Sequence, residues 1–176
     1  MSTKESGTDK NWEIINYSYL AIGSNIGKRK RNLNKSISYI KSKVGKIYKS
    51  SKIYESEPWG FKKQNYFLNQ IILVETKLTP LELLNKCKEI ETKMGRKINI
   101  KWRERNIDID ILYYNSDIID EKLLKIPHPH IEKRKFVLLP LNELDEDYIH
   151  PKLMKSNAYL LETCEDKCIV KEYGKL

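Results

Sequence analysis

Two aspartates in an alternating stretch are the residues best placed to do chemistry in this sequence. Residues 107–112 read Ile-Asp-Ile-Asp-Ile-Leu, so apolar and acidic side chains alternate. On a β-strand this puts the isoleucines on one face and Asp108 and Asp110 on the other, roughly 6–7 Å apart at Cα. Two carboxylates at that spacing can hold one or two Mg²⁺ ions, because Mg²⁺ prefers hard oxygen ligands and completes its shell with water or phosphate oxygens. An edge strand with a solvated polar face would show the same pattern.

Basic side chains directly precede the aspartates. Arginine grips phosphate through two parallel hydrogen bonds, so acids with adjacent bases fit a site for a metal and a polyphosphate. Trp102 lies among them and either stacks on a base or packs against the protein. The basic residues are Arg96, Lys97, Lys101, Arg103 and Arg105.

Two further groups of side chains could recognise a ligand. Phe67 and Asn69 share one face of an expected strand, and an aromatic ring with an amide suits a flat heterocycle, although core packing explains Phe67 equally well. His128 and His130 flank a proline in an expected loop, which favours phosphate contact or simple exposure over a metal site. The sequence has no GxxxxGK[ST], so it is not a P-loop protein.

Periodicity and capping signals predict the elements that position these residues. Thr79, Pro80 and Glu82 form a strong helix start with a capping box, and Gly95 ends that helix. An earlier helix carries Leu33, Ile37, Ile40 and Val44 at helical spacing and ends at Gly45. Strands are predicted at 17–22, 47–54, 67–74, 107–113 and near 169–170, a turn at 23–27, and loops at 55–65 and 96–106.

This order predicts an α+β fold, a ferredoxin-like βαββαβ sandwich with additional C-terminal elements. Residues 1–15 are polar and are expected to be a loose tail rather than a secretory signal, with one domain over 16–176. Hydrophobic residues make up 40% of the 176 and charged residues 32%, which is a globular balance, and no apolar run reaches the length of a membrane helix. No role is assigned to the chain after Pro151.

Charge and cysteine content indicate an anionic ligand and a reducing compartment. The net charge of +9 attracts anions such as nucleic acid, acidic membrane or ATP, and does not choose among them. Three cysteines are too few for a disulfide framework and indicate a reducing cytoplasm. Cys164 and Cys168 lie one helical turn apart but lack further zinc ligands nearby, so they are interpreted as structural thiols.

Taken together, the motifs resemble those of the 6-hydroxymethyl-7,8-dihydropterin pyrophosphokinases, in the same order and over residues 17–151. The resemblance implies a Mg²⁺-dependent enzyme of folate synthesis that transfers pyrophosphate from ATP to the pterin hydroxyl, giving AMP. It implies a monomer that binds neither nucleic acid nor membrane. The segments that carry the resemblance are residues 20–25, 54–60, 67–69, 91–96, 102–110 and 127–136.

The resemblance also implies roles for individual residues. Asp108 and Asp110 match the pair that binds two Mg²⁺ ions, and with Arg96 and Arg105 they form the catalytic set. The ATP-binding positions are Arg96, Trp102, Arg105, His128 and Arg134. The pterin-binding positions are Ser56, Glu57, Trp59, Phe67, Asn69 and Phe136, with Phe67 and Phe136 sandwiching the ring and Asn69 reading its edge.

One departure affects the basic loop. Many members have Gly-Pro where this sequence has Arg103-Glu104, so its closure over ATP is expected to differ. The loops at 55–65 and 96–106 are expected to close over the substrates. Two alternatives remain at this point: a basic ferredoxin-like module that binds nucleic acid, and another metal-dependent phosphotransferase or nucleotidyltransferase built on the same aspartates.

Overall fold

A computed structural model describes residues 14–60, 63–96 and 105–174. Their main feature is a six-stranded antiparallel sheet with helices on both faces. The sheet strands are β1 (Asn16–Ser24), β2 (Gly45–Ser50), β3 (Tyr54–Ser56), β4 (Phe67–Thr76), β5 (Asp108–Tyr114) and β8 (Val170–Glu172). The short strands β6 (Ile119–Asp120) and β7 (Lys125–Ile126) pair with each other. The helices are α1 (Arg29–Lys43), α2 (Pro80–Lys93), α3 (Lys135–Leu144) and α4 (Asn157–Glu162).

The strand order confirms the predicted fold class. The order is β5-β1-β4-β3-β8. Both β2 and β3 pair with the same edge of β4, β3 near the start of β4 and β2 near its end. The first and third predicted strands are therefore central and the last βαβ strand lies at one edge, as in a ferredoxin-like sandwich. The additional C-terminal elements include the β6–β7 pair, α3, α4 and β8, and β8 extends the sheet beyond β3.

Each face of the sheet has its own core because strand side chains alternate between faces. Leu20, Ile72 and Ile109 pack on the side of α1 and α2. Tyr19 and Ile71 pack on the other side, against α3 and α4. Asp108 and Asp110 share the face opposite Ile109, as the sequence pattern predicted, and in the structure this is the α3 side.

The predicted ends of the two long helices are confirmed. Thr79 accepts a hydrogen bond from the Glu82 backbone N–H and donates its own backbone N–H to Glu82 Oε2 at 2.8 Å, which is the predicted capping box. The chain leaves α1 through Gly45, where a Cβ atom would overlap the carbonyl oxygen of Glu75. Glycine is needed there because β2 approaches β4 too closely for any side chain.

Three predicted boundaries are wrong. The strand predicted at 47–54 is two strands, because the Ser51 hydroxyl, not a backbone carbonyl, accepts the Ile71 N–H at 3.0 Å, and this interrupts the ladder between β2 and β3. The turn predicted at 23–27 begins later, because Gly23 and Ser24 still pair with β4. The loop predicted at 55–65 likewise loses its first two residues to β3.

The predicted ends of the chain are only partly covered. Residues 1–13 of the expected tail lie outside the described residues, and Ile14 and Ile15, the last two, are exposed. The last strand, predicted near 169–170, is Val170–Glu172. Among the described residues, no helix is long and apolar enough to cross a membrane.

Candidate active site

A cavity of about 460 Å³ lies on the α3 side of the sheet, where β1, β3, β4 and β5 come together. Its walls combine carboxylates, guanidinium groups and aromatic rings, so it offers one charged end and one apolar end. The residues that line it are Ala21, Ile22, Gly23, Ser56, Glu57, Trp59, Gln64, Phe67, Asn69, Ile71, Arg96, Arg105, Asp108, Asp110, His128, Arg134, Phe136 and Val137.

The floor of the cavity is set by strand register. Gly23 of β1 pairs with Asn69 of β4 on one side and with Asp108 of β5 on the other. Paired residues on neighbouring strands point to the same face, so Asn69 and Asp108 are about 10 Å apart across a glycine. Because Gly23 has no side chain, the space between the amide and the carboxylate stays open.

The acidic end of the cavity is held by two arginines. Arg96 donates to Asp108 Oδ1 at 2.5 Å, and Arg105 donates to Asp108 Oδ2. Burial works against the ionised form of Asp108, but the guanidinium groups of Arg105 and Arg96 hold its pKa below the ordinary value. Burial and the Asp108 charge raise the pKa of Asp110 to about 7. A bound cation would stabilise this pair of carboxylates by offsetting their mutual repulsion.

The donor set of this pair fits Mg²⁺ better than zinc. Among residues 14–60, 63–96 and 105–174, no three His, Cys, Asp or Glu side chains come together as metal ligands. Two carboxylates in an open cavity instead leave most coordination positions to water or phosphate oxygens, which is how Mg²⁺ is usually bound.

Glu91 supports the acidic end from behind, and sequence analysis assigned no role to this residue. It lies on α2, only 1% exposed, and its Oε1 accepts the Ile109 backbone N–H at 2.8 Å and a hydrogen bond from Arg96. The Arg96 guanidinium therefore bridges Glu91 and Asp108. Glu91 lies at helical spacing from Cys87 and Met94, on the apolar face of α2, so periodicity predicts its burial but not its hydrogen bond with Ile109.

Asn25 fixes the start of β5 and was also missed by sequence reasoning. Its Oδ1 accepts the Arg105 backbone N–H at 2.7 Å, and its own backbone N–H donates to the Arg105 carbonyl at 3.2 Å. Its Nδ2 donates to Gln64 Oε1 at 3.3 Å. This asparagine, 1% exposed, thus links the chain before β5 to the chain before β4.

The apolar end has an amide in a fixed orientation. Asn69 Nδ2 donates to Ser56 Oγ at 2.9 Å, and both side chains are buried. Phe67 enters from β4 and Phe136 from the first turn of α3, so aromatic rings come from two different elements. The ring of Trp59 lies 4.6 Å from the Arg134 guanidinium carbon, a cation–π contact.

Two buried nitrogen atoms in the cavity wall have no hydrogen-bond partner within the described part of the chain. They are His128 Nδ1 and Arg134 Nε. Burial, followed by the nearby Arg134 charge, lowers the pKa of His128 to about 4, so its imidazole is neutral near pH 7. The unpaired Arg134 Nε–H is a costly buried donor, and an anionic ligand that accepts from it, and from the protonated nitrogen of the neutral His128 ring, would remove that cost.

Comparison with known proteins identifies the family. The model of the family "7,8-dihydro-6-hydroxymethylpterin-pyrophosphokinase (HPPK)" matches residues 19–146. The chain belongs to this family. It is 47% identical over 133 residues to a 2-amino-4-hydroxy-6-hydroxymethyldihydropteridine pyrophosphokinase of Aquifex aeolicus, covering 76% of this chain and 82% of the relative. The Bacillus subtilis protein of the same name is 38% identical over 130 residues, covering 73% and 78%.

Solved structures of HPPK-DHPS proteins share the fold. One, in complex with substrates, has a TM-score of 0.69 at 19% identity and covers 84% of this chain. Another, from Plasmodium falciparum, also has a TM-score of 0.69 at 19% identity and covers 87%. The chain spans only 43% and 45% of those two longer chains, and at this identity they support the HPPK fold alone.

The structure brings together nearly all residues that the sequence associated with this family's site. Twelve of the thirteen predicted positions line this cavity. The thirteenth, Trp102, lies outside the described residues, as do Arg103 and Glu104. The family membership favours the pyrophosphokinase hypothesis over the two alternatives. The twelve are Ser56, Glu57, Trp59, Phe67, Asn69, Arg96, Arg105, Asp108, Asp110, His128, Arg134 and Phe136.

Proposed function

We propose that this cavity is the site at which the chain carries out the reaction of its family. That reaction transfers pyrophosphate from ATP to the hydroxyl of 6-hydroxymethyl-7,8-dihydropterin in folate synthesis. The observation that carries the proposal is the row Asn69–Gly23–Asp108, which joins a heterocycle end to a metal and phosphate end across an open floor.

The pterin is proposed to lie over Gly23 with its edge toward Asn69. Because Asn69 Nδ2 is already bonded to Ser56 Oγ, the orientation of the amide is fixed before the ligand arrives. Phe67 and Phe136 supply apolar ring surfaces for the two faces of the heterocycle. Ser56, Glu57 and Trp59 form the adjoining wall, and the hydroxymethyl group then points toward β5.

ATP is proposed to bind at the other end with its phosphates against the basic side chains. Asp108 and Asp110 would hold two Mg²⁺ ions, which when bound neutralise phosphate charge and align the reactants. Arg96 and Arg105, which pair with Asp108, would donate to the phosphate oxygens from the same end of the cavity. His128 and Arg134, with their unpaired nitrogen atoms, supply donors from the α3 side.

The bond changes follow from this arrangement. The hydroxymethyl oxygen attacks the β-phosphorus of ATP, a new O–P bond forms, and the bond from the β-phosphorus to the bridging oxygen breaks. AMP leaves with that oxygen, and the hydroxyl proton passes to a carboxylate or to water. The guanidinium groups stabilise the charge that grows on the phosphate oxygens.

Product identification tests the proposal. Purified protein is mixed with ATP, Mg²⁺ and 6-hydroxymethyl-7,8-dihydropterin, and the nucleotide product is separated by chromatography. AMP and a pterin diphosphate, formed in equal amounts and only when the pterin is present, are expected. ADP instead of AMP would mean a simple kinase, and an Asp110→Asn variant with near-normal turnover would contradict the metal role.

We also propose that residues 16–176 form one folding unit, because β8 near the C-terminus pairs with β3 in the same sheet as β1. The expected monomeric state and cytoplasmic location stay predictions. Size-exclusion chromatography with light scattering would test the first.

A further inference from the structure

The segment that follows α4 contacts both walls of the apolar end of the cavity. It comprises residues 165–172, here named the C-terminal brace, and it lies beyond residues 19–146, which the family model matches. Sequence reasoning gave it no role. Within the described residues that follow α4, only this segment pairs with a strand of the main sheet, through β8 and β3.

The first contact is with the helix that carries Phe136. Asp166 Oδ2 accepts the backbone N–H of Lys135 at 3.0 Å, and Asp166 Oδ1 accepts the backbone N–H of Cys168 at 3.0 Å. Lys135 is the first residue of α3, and Arg134, its N-cap residue, makes no side-chain cap hydrogen bond. Asp166 therefore accepts a free backbone N–H at the start of α3, as an N-cap side chain usually does, although it lies far away in the sequence. Its negative charge also interacts favourably with the positive end of the helix dipole.

The second contact is with the wall formed by β3. Val170 pairs with Ser56, so β8 extends the sheet beyond a strand of three residues. Glu57 is held twice, since its backbone N–H donates to the Ile169 carbonyl at 3.2 Å and its Oε2 accepts the Ile169 N–H at 3.3 Å. Without β8, β3 would be a very short edge strand, which is marginal on its own.

We propose that the C-terminal brace holds the pterin end of the cavity in its binding shape, and that Asp166 is the positioning residue that joins β8 to α3. The inference rests on the proposed function, because it takes Ser56, Glu57 and Phe136 as the pterin wall. Burial alone would raise the pKa of Asp166, but the hydrogen bonds from the Cys168 and Lys135 amides lower it, so the residue is ionised at neutral pH and can accept both.

Loss of the brace contact should weaken pterin binding more than ATP binding. Arg96, Arg105 and His128 reach the cavity from other elements, so most of the phosphate end does not depend on Asp166. Asp166→Ala is expected to raise the KM for the pterin by about fivefold, the effect of losing one helix cap. The KM for ATP is expected to stay within about twofold, and kcat to change less than the pterin KM.

The matched control is Glu165→Ala, which removes one carboxylate from the neighbouring, exposed position. This control is expected to keep both KM values. Asp166→Asn retains one acceptor oxygen and is expected to fall between wild type and Asp166→Ala. A lower melting temperature of Asp166→Ala with both KM values unchanged, or with both raised equally, would overturn the inference.

Hydrogen exchange separates this inference from the proposed function. In Asp166→Ala the backbone amides of Lys135 and Glu57 are expected to exchange faster than in wild type and in Glu165→Ala, with β1 unchanged. Unchanged protection at both amides would overturn the brace, whether or not the enzyme turns over. If wild-type protein makes no pterin diphosphate, the proposed function fails, and the exchange result still decides the structural part.

Discussion

Replacing Glu91 with glutamine should destabilise the protein although no ligand is proposed to touch this residue. The glutamine keeps the volume of the side chain and an oxygen that can still accept the Ile109 N–H. It loses the charge that pairs with Arg96 and with Lys88 at 3.2 Å. The same oxygen can still accept from Arg96, but without a charge, and the new amide donor takes the place of Oε2 beside the Lys88 ammonium, which is itself only a donor.

The magnitude follows from the exposure of each partner. Lys88 is 52% exposed, so its ion pair contributes roughly 0–0.5 kcal/mol. The Arg96 side chain is 25% exposed and still pairs with Asp108 in the variant. Removing the Glu91 charge should therefore cost about 1.5–3 kcal/mol of stability, less than breaking a fully buried ion pair. Burial and the Asp108 charge raise the pKa of Glu91, so removing its charge returns part of that loss. We expect the free energy of unfolding to fall by about 1–2 kcal/mol.

Urea unfolding followed by circular dichroism, without ATP or Mg²⁺, measures this change. The matched control is Glu89→Gln on the same helix, because Glu89 pairs with Lys86 at 3.0 Å but its side chain is 60% exposed. The control should lose less than about 0.5 kcal/mol. Equal stability of the two variants would refute the reasoning. A raised KM for ATP in Glu91→Gln is the expected second effect, since Arg96 loses the carboxylate charge that holds it in place.

Three other changes test the site. Asp110→Asn should lower turnover by roughly 10²–10³-fold without lowering the melting temperature, because burial and Asp108 already raise the pKa of this carboxyl to about 7; turnover assays and thermal melts check both. Gly23→Ala should raise the pterin KM by roughly 3–10-fold, since its Cβ would lie 3.2 Å from Asn69 Oδ1; an unaltered pterin KM would contradict the open floor. His128 has a folded-state pKa of about 4, below its unfolded value of about 6.5, so the unfolded chain binds more protons and stability falls as pH drops from 6.5 to 4, by at most about 3 kcal/mol. In His128→Asn that part of the pH dependence, measured by urea unfolding without ligands, should disappear.

The sequence predicted well the features that depend on local patterns. The alternation around Asp108 and Asp110 placed both carboxylates on one face, because strand geometry leaves no other arrangement. The capping box at Thr79 located the start of α2, because its two hydrogen bonds are formed between residues three apart. Both signals are complete within a few consecutive residues.

The features that were missed depend on contacts between distant parts of the chain. Glu91 lies on the apolar face of α2 by helical spacing, but its hydrogen-bond partner, the Ile109 N–H of β5, is 18 residues away and is not indicated by any local pattern. Ser51 looks like a strand residue, and side-chain hydrogen bonds with Ile71 and Gln70 of β4 interrupt the strand there. Asp166 caps a helix that begins 31 residues earlier. No periodicity in the sequence encodes such pairs.

The position of β5 at the edge of the sheet has a consequence for solubility. An exposed edge strand rich in isoleucine and tyrosine is a template on which a second chain can add a strand and start aggregation. Here the Ile109 N–H is taken by the Glu91 carboxylate, and the Leu112 carbonyl accepts the His128 backbone N–H at 2.9 Å. Two of the groups that an incoming strand would use are already bonded, and the aspartates add charge along the same strand. The Glu91 and His128 hydrogen bonds and the charges of Asp108 and Asp110 therefore also help to prevent strand addition between copies of the protein at high concentration.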